Sequence, residues 1–193
     1  MTRPPSSDNF GALAHRAADR LRALALDVQG ISPQVVDTIR FSLDQLTDPS
    51  ELKTLLGRVG KFAEQGVPSI YVFSLSDVSI YPILNDAFKQ KPEFGEDDAS
   101  KLAYSRLNKH TPPESLYVGS SCFLVSRISQ HFGCTGGSKT YAMRLNRWAL
   151  GIAADVELSL WRFADSLNPI ELEVVEQQLW EEQKPMLGKR SGH

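Results

Sequence analysis

The sequence predicts an α+β domain preceded by a helical region, and three observations carry that expectation. The runs "SIYVFSLS" (69–76), "SLYVGSS" (115–121) and "DVELSLWRF" (155–163) are rich in β-branched and aromatic residues or alternate apolar with polar, as strands do. Between and after them apolar residues recur at helical spacing. Ahead of residue 67 only helical signals are read, each opened by a polar residue that can cap a helix.

In chain order, the first nine residues, rich in proline and serine, read as a mobile tail. Asp8 or Asn9 can cap a helix from Phe10 to Val28, with Phe10, Leu13, Ala17, Leu21 and Leu24 on one stripe and Gly30 closing it. Ser32 ahead of Pro33 predicts a second helix to about Leu46. Asp48 ahead of Pro49 predicts a third, ending near Gly66. The strand at 69–76 is bounded by Pro68 and Asp77. Residues 77–114 carry two short helical patterns around a turn at Pro92 to Gly95. The second strand runs into a helix over 122–132, then a loop "GCTGGSKT" (133–140), then a helix to about Leu150. After the third strand, Asn168 and Pro169 open a final amphipathic helix to residue 183. The expected organisation is an N-terminal helical region with its tail over 1–66 and an α+β domain over 67–193.

Composition narrows the function classes. With 193 residues, 41% hydrophobic and 23% charged, the chain suits one domain with a real core and an appended region. Apolar runs end well before the ~20 residues a membrane helix needs, and "MTRPPSSDNF" has no signal-peptide core, so the expectation is a cytoplasmic protein with no membrane partner. Cys122 and Cys134 lack disulfide-framework or zinc spacing and read as buried or part-buried thiols. Net charge is −2, yet its distribution is uneven. From Lys101 to Trp148 seven bases face one acid, Glu114; from Ala149 onward eight acids face four bases. That pattern suits a phosphate-facing surface beside a cation site.

The segment "LYVGSSCFLVSRISQHFG" (116–133) places Arg127 and His131 four residues apart on one helical face, directly after a strand containing a glycine. Taken with "SIY" at 69–71, "YVG" at 117–119 and Glu176 on the last helix, this ordered set resembles the GIY-YIG nuclease family over roughly residues 67–193. The resemblance implies a small three-stranded antiparallel sheet flanked by helices, with both motifs on neighbouring strands. It also implies a DNA endonuclease, for example of the restriction or phage-defence type, with one Mg²⁺ or Mn²⁺ per active site.

The residue types suit that chemistry. Phosphodiester cleavage needs an activated water and positive charge where negative charge builds on the phosphate. Arg127 can grip phosphate oxygens with its planar fork. Glu176, a hard oxygen ligand, can hold one largely hydrated Mg²⁺, although Glu171 and Glu173 compete on the same helix. The resemblance implies that Tyr71 helps to activate the water, with Tyr117 and His131 relaying or orienting protons. A tyrosine is a poor base at its ordinary pKa, so that role requires cationic neighbours or a metal. Gly119 is expected to let the backbone bend beside the substrate. Ser120, Lys139 in the Gly-rich loop, Arg144 and Arg147 are the expected nucleic-acid contacts, the last two on one side of a helix.

Three features depart from the family pattern. Ser69 stands where the first motif usually has glycine, residues 77–114 form a much longer connection than usual, and "KPMLGKRSGH" lacks the asparagine common near the domain end. The two remaining readings are a catalytically inactive descendant of the same fold that binds nucleic acid or protein, and a helical interaction protein. A single active site nicks one strand, so double-strand cutting would call for a homodimer.

Overall fold

The computed structural model describes residues 7–93, 101–110, 113, 115–135 and 139–190. Two compact units emerge, Met1–Ser32 and Pro33–His193. The first contains α1 (Ser7–Gln29), which covers the expected helix. Residues 1–6 of the expected tail lie outside the described residues.

The second unit opens with a correction. Residues 35–42, expected within a helix, form strand β1 (Val35–Ser42), paired antiparallel along its whole length with the strand at 155–162. Val35, Val36, Thr38 and Ile39 are β-branched and stiff at χ1, which favours the extended chain. Ile39 and Phe41 alternate into the core. Ser32–Pro33 marks a chain break, but a partner strand distant in sequence decides the conformation of the residues after it.

A 3₁₀ turn leads to α2 (Pro49–Phe62), capped as expected by Asp48, whose carboxylate accepts from the Ser50 and Glu51 N–H groups at 2.7 and 3.3 Å. Next along the chain come β2 (Ser69–Leu75), α3 (Tyr81–Lys89), β3 (Tyr117–Ser121), α4 (Leu124–Phe132), α5 (Leu145–Trp148), β4 (Asp155–Arg162) and α6 (Pro169–Gln183). Asn168 caps α6 with Glu171 reaching back in a capping box. Only α3 of the two helical patterns expected in 77–114 forms among the described residues; residues 101–110 carry isolated bridges instead, Tyr104 to Ala142 and Leu107 to Leu187. The expected helix to Leu150 shrinks to the single turn of α5, because Arg144 just ahead of it is left-handed at φ 55°.

The fold is α+β, with four antiparallel strands rather than three, in the order β1-β4-β2-β3. Residues 33–66 thus belong to the sheet-bearing unit, whose boundary falls at Pro33 rather than at 67. On one sheet face Phe41 and Phe73 meet Phe132 of α4 edge-on, at centroid distances of 5.3 and 6.2 Å. Along β3, Tyr117 and Gly119 face that side, while Ser120 points to the opposite face, where α6 packs. The edge of β3 is therefore where side chains from both faces meet. Cys122 is half-buried and Cys134 exposed, with no disulfide between them. No helix among the described residues is long and apolar enough to cross a membrane.

Candidate active site

The cross-strand register brings the two tyrosine motifs together: Tyr71 lies opposite Gly119, and Phe73 opposite Tyr117. The Tyr71 and Tyr117 rings run parallel, centroids 6.1 Å apart at 8°. A side chain at position 119 would not fit between them. A Cβ there would stand 2.6 Å from Tyr71 Oη and 2.9 Å from a Tyr117 ring carbon. The glycine serves the approach of these rings; its expected role in bending the backbone toward a substrate is corrected accordingly.

Helix α4 supplies the next layer. Met143 N–H donates to His131 Nδ1 at 3.2 Å, so the neutral imidazole carries its proton on Nε2 and donates it to Tyr71 Oη at 3.0 Å. Arg127 Nε–H donates to the same oxygen at 3.2 Å, and Nη2 donates to Tyr117 Oη at 3.1 Å. Nη1 donates to Gln130 Oε1 and to the Tyr141 carbonyl. Four of the five guanidinium N–H groups thus hold protein partners, and the fifth sits on Nη2. Arg127 is a bracket between two phenols as well as a candidate phosphate contact.

Burial sets the protonation states. Desolvation pushes the Tyr71 hydroxyl far above its usual pKa, with Tyr117 adding to the rise and Arg127 opposing it. Tyr117 is raised for the same first reason, again against Arg127. His131 is held well below its ordinary value by burial and by the Arg127 charge, and stays neutral. Both phenols therefore keep their protons near neutral pH.

From the other face of the sheet, α6 presents Glu176, which accepts a hydrogen bond from Ser120 Oγ. Ser120, expected among the nucleic-acid contacts, is engaged in orienting this carboxylate. Tyr117, Arg127 and Glu176 border one cleft of about 550 Å³. Tyr71, 0% exposed, and His131 lie behind Tyr117, which is 8% exposed. The structure thus brings all five expected catalytic residues into one cluster but gives only three of them a place on the cleft.

Tyr104, Ser105, Arg106, Tyr141, Gly188 and Lys189 complete the cleft wall, and sequence reading assigned none of them. Tyr104 and Arg106 arrive because the connection at 101–110 folds back: Gly188 N–H donates to the Arg106 carbonyl at 2.8 Å, and Ser105 N–H to the Ala142 carbonyl at 2.9 Å. One aromatic followed closely by two bases in "AYSRLNK", Tyr104 ahead of Arg106 and Lys109, was the available signal.

Of the other expected nucleic-acid contacts, Lys139 is exposed. Arg144 is corrected: it is 4% exposed and donates to the Ala103 and Thr140 carbonyls at 3.2 and 3.1 Å. Its left-handed backbone also removes the shared helical face with Arg147, which is half-buried in α5. Gly136, Gly137 and Ser138 of the Gly-rich loop lie outside the described residues.

Among the described residues no cluster of three or more His, Cys, Asp or Glu side chains could hold a metal. A lone carboxylate on an open cleft fits a hard cation that keeps most of its water, such as Mg²⁺, and does not fit a closed zinc-type site. No family model, no curated protein and no solved structure matches this chain.

Proposed function

We propose that the protein is a Mg²⁺- or Mn²⁺-dependent endonuclease of the GIY-YIG type that hydrolyses phosphodiester bonds in DNA. The observation that carries this reading is the hydrogen-bonded set Tyr71, His131, Arg127 and Tyr117, assembled from β2, β3 and α4, whose Arg127 and Tyr117 border a cleft that also receives Glu176 from α6. Hydrolysis forms one P–O bond from water and breaks another to the leaving oxygen, so most of the catalysis is position and charge. Arg127 offers its Nη2 N–H and its charge to the phosphate. Glu176, oriented by Ser120, would hold the cation. When bound there, such an ion would supply positive charge for the phosphate. Tyr117 faces the substrate directly, while Tyr71 and His131 position Arg127 and Tyr117 from behind. Arg106 and Lys189 add positive charge to the cleft wall. Cleavage of both strands would call for two copies acting together.

One observation favours the alternative of an inactive binding module on the same scaffold: the hydroxyl of Tyr71, expected to help activate water, is shut away from the cleft. Incubating the purified protein with plasmid and with single-stranded DNA in Mg²⁺, Mn²⁺ or EDTA separates the two. Cleavage with metal and none with EDTA is expected; binding with no cleavage under any metal condition would leave the binding module.

A further inference from the structure

A second groove, of about 880 Å³, adjoins the cleft and shares with it the wall formed by Tyr104, Ser105, Arg106 and Tyr141. Among the described residues its lining concentrates positive charge in a chain whose net charge is −2: Lys89, Lys91, Lys101, Arg106 and Lys139 stand against one acid, Glu93. The cations come from three separate stretches, the end of α3, the connection at 101–110 and the turn before Tyr141, so the patch is assembled by the fold. Lys91 Nζ is held over the Phe88 ring at 4.5 Å from its centroid and near Tyr104 at 5.5 Å, which lays it on an aromatic surface. Lys89 and Lys101 pair with Asp86 and Glu93 at 3.0 and 3.3 Å, but these are exposed pairs of the kind that contributes little and yields to a polyanion. At the junction of groove and cleft stands Tyr141, 69% exposed.

We infer that this groove is a track for single-stranded nucleic acid leading into the cleft, with the sugar-phosphate chain on the lysines and a base stacked on Tyr141. The inference rests on the proposed phosphodiesterase reading and specifies the form of its substrate. A cationic groove alone would suit any polyanion. The exposed aromatic at the junction discriminates, because the interior bases of a duplex are already stacked on both faces, so that along a strand only an unpaired base can lie on a tyrosine ring.

The test is fluorescence anisotropy in EDTA, with labelled oligothymidylate, oligouridylate and a blunt hairpin duplex, on the wild type, K89Q/K101Q/K139Q and Y141A. Melting curves check that the variants fold. Tighter binding of at least one single strand than of the duplex is expected. The triple variant should lose affinity at least about tenfold and flatten the slope of log affinity against log salt by roughly 0.7 for each phosphate that is no longer neutralised. Y141A should lose about five- to a hundredfold with the salt slope unchanged, since stacking is not electrostatic. The two single-strand probes separate DNA from RNA. Duplex binding that equals or exceeds single-strand binding would overturn the inference, and so would folded variants that bind like the wild type. A wild type that binds single strands through these residues yet cleaves nothing with metal leaves the track standing and removes the hydrolase reading instead.

Discussion

The imidazole of His131 donates its Nε2 proton to the hydroxyl of Tyr71 at 3.0 Å while its other nitrogen accepts the Met143 N–H, so both ring nitrogens are committed in the neutral form. Protonating the ring would break the hydrogen bond from Met143 and bury a charge beside Arg127. The folded-state pKa is depressed, so the unfolded chain binds the proton more readily. The contribution of His131 to stability is therefore complete above the ordinary value of 6.5 and is lost as pH falls through and below it. Urea titrations between neutral and mildly acid pH should show stability falling with a slope of up to about 1.4 kcal/mol per pH unit. A folded H131Q variant should lack that part of the slope; an unchanged slope would place the acid sensitivity elsewhere.

Gly119→Ala should fold poorly at the site, because the new methyl would overlap the Tyr71 hydroxyl and neither buried ring has room to retreat. A loss of about 1–3 kcal/mol by thermal melting is expected, with loss of any cleavage. Gly57→Ala, in the exposed middle of α2 with nothing within 4 Å of the new atom, should instead gain about 0.5–1 kcal/mol. If both substitutions behave alike, the packing account of Gly119 is mistaken.

Arg127→Ala removes four hydrogen bonds and leaves two buried phenol oxygens short of a donor. It should abolish cleavage and also lower stability by about 1–3 kcal/mol. Arg127→Lys keeps the charge but cannot reach both tyrosines with one ammonium, so it should recover part of the stability and little of the cleavage. Full cleavage by the lysine variant would show that charge alone suffices.

Glu176→Gln should lose metal-dependent cleavage while retaining nucleic-acid binding, tightened by the loss of a negative charge facing phosphate. Glu173→Gln, on the same helix but outside the cleft lining, should be nearly silent. Gel assays of cutting and anisotropy of binding on both variants decide this. Silence of both in a protein that does cleave would put the cation elsewhere.

Arg144→Ala tests an internal strut. Its guanidinium ties the connection at 101–110 to the chain ahead of α5, so the change should lower the melting temperature, at a cost of about 1–3 kcal/mol, without altering the salt dependence of binding. A flattened salt slope in a folded variant would return Arg144 to the nucleic-acid surface.

Local chemistry in the sequence determined most of the elements. Asp48 and Asn168 cap the helices expected of them, the spacing of Arg127 and His131 set them on one helical face, and β-branched and aromatic runs marked β2, β3 and β4. Spacing alone paired only Arg127 with His131; the family resemblance added Tyr71, Tyr117 and Glu176, and the fold collects all five into one cluster. Tertiary structure decided the features that depend on a partner remote in the chain. Val35–Ser42 becomes a strand because β4, more than a hundred residues later, offers it hydrogen bonds and a face to bury, outweighing the helix-start signal of Ser32–Pro33. Arg144 turns inward because carbonyls of Ala103 and Thr140 await it, and Tyr104 and Arg106 reach the cleft because residues 101–110 bridge to Ala142 and Leu187. Caps, turns and periodicities act within a few residues and are legible one stretch at a time. Strand partners, buried cation acceptors and cleft walls are set by contacts whose two halves are separated in sequence, and only folding brings them together.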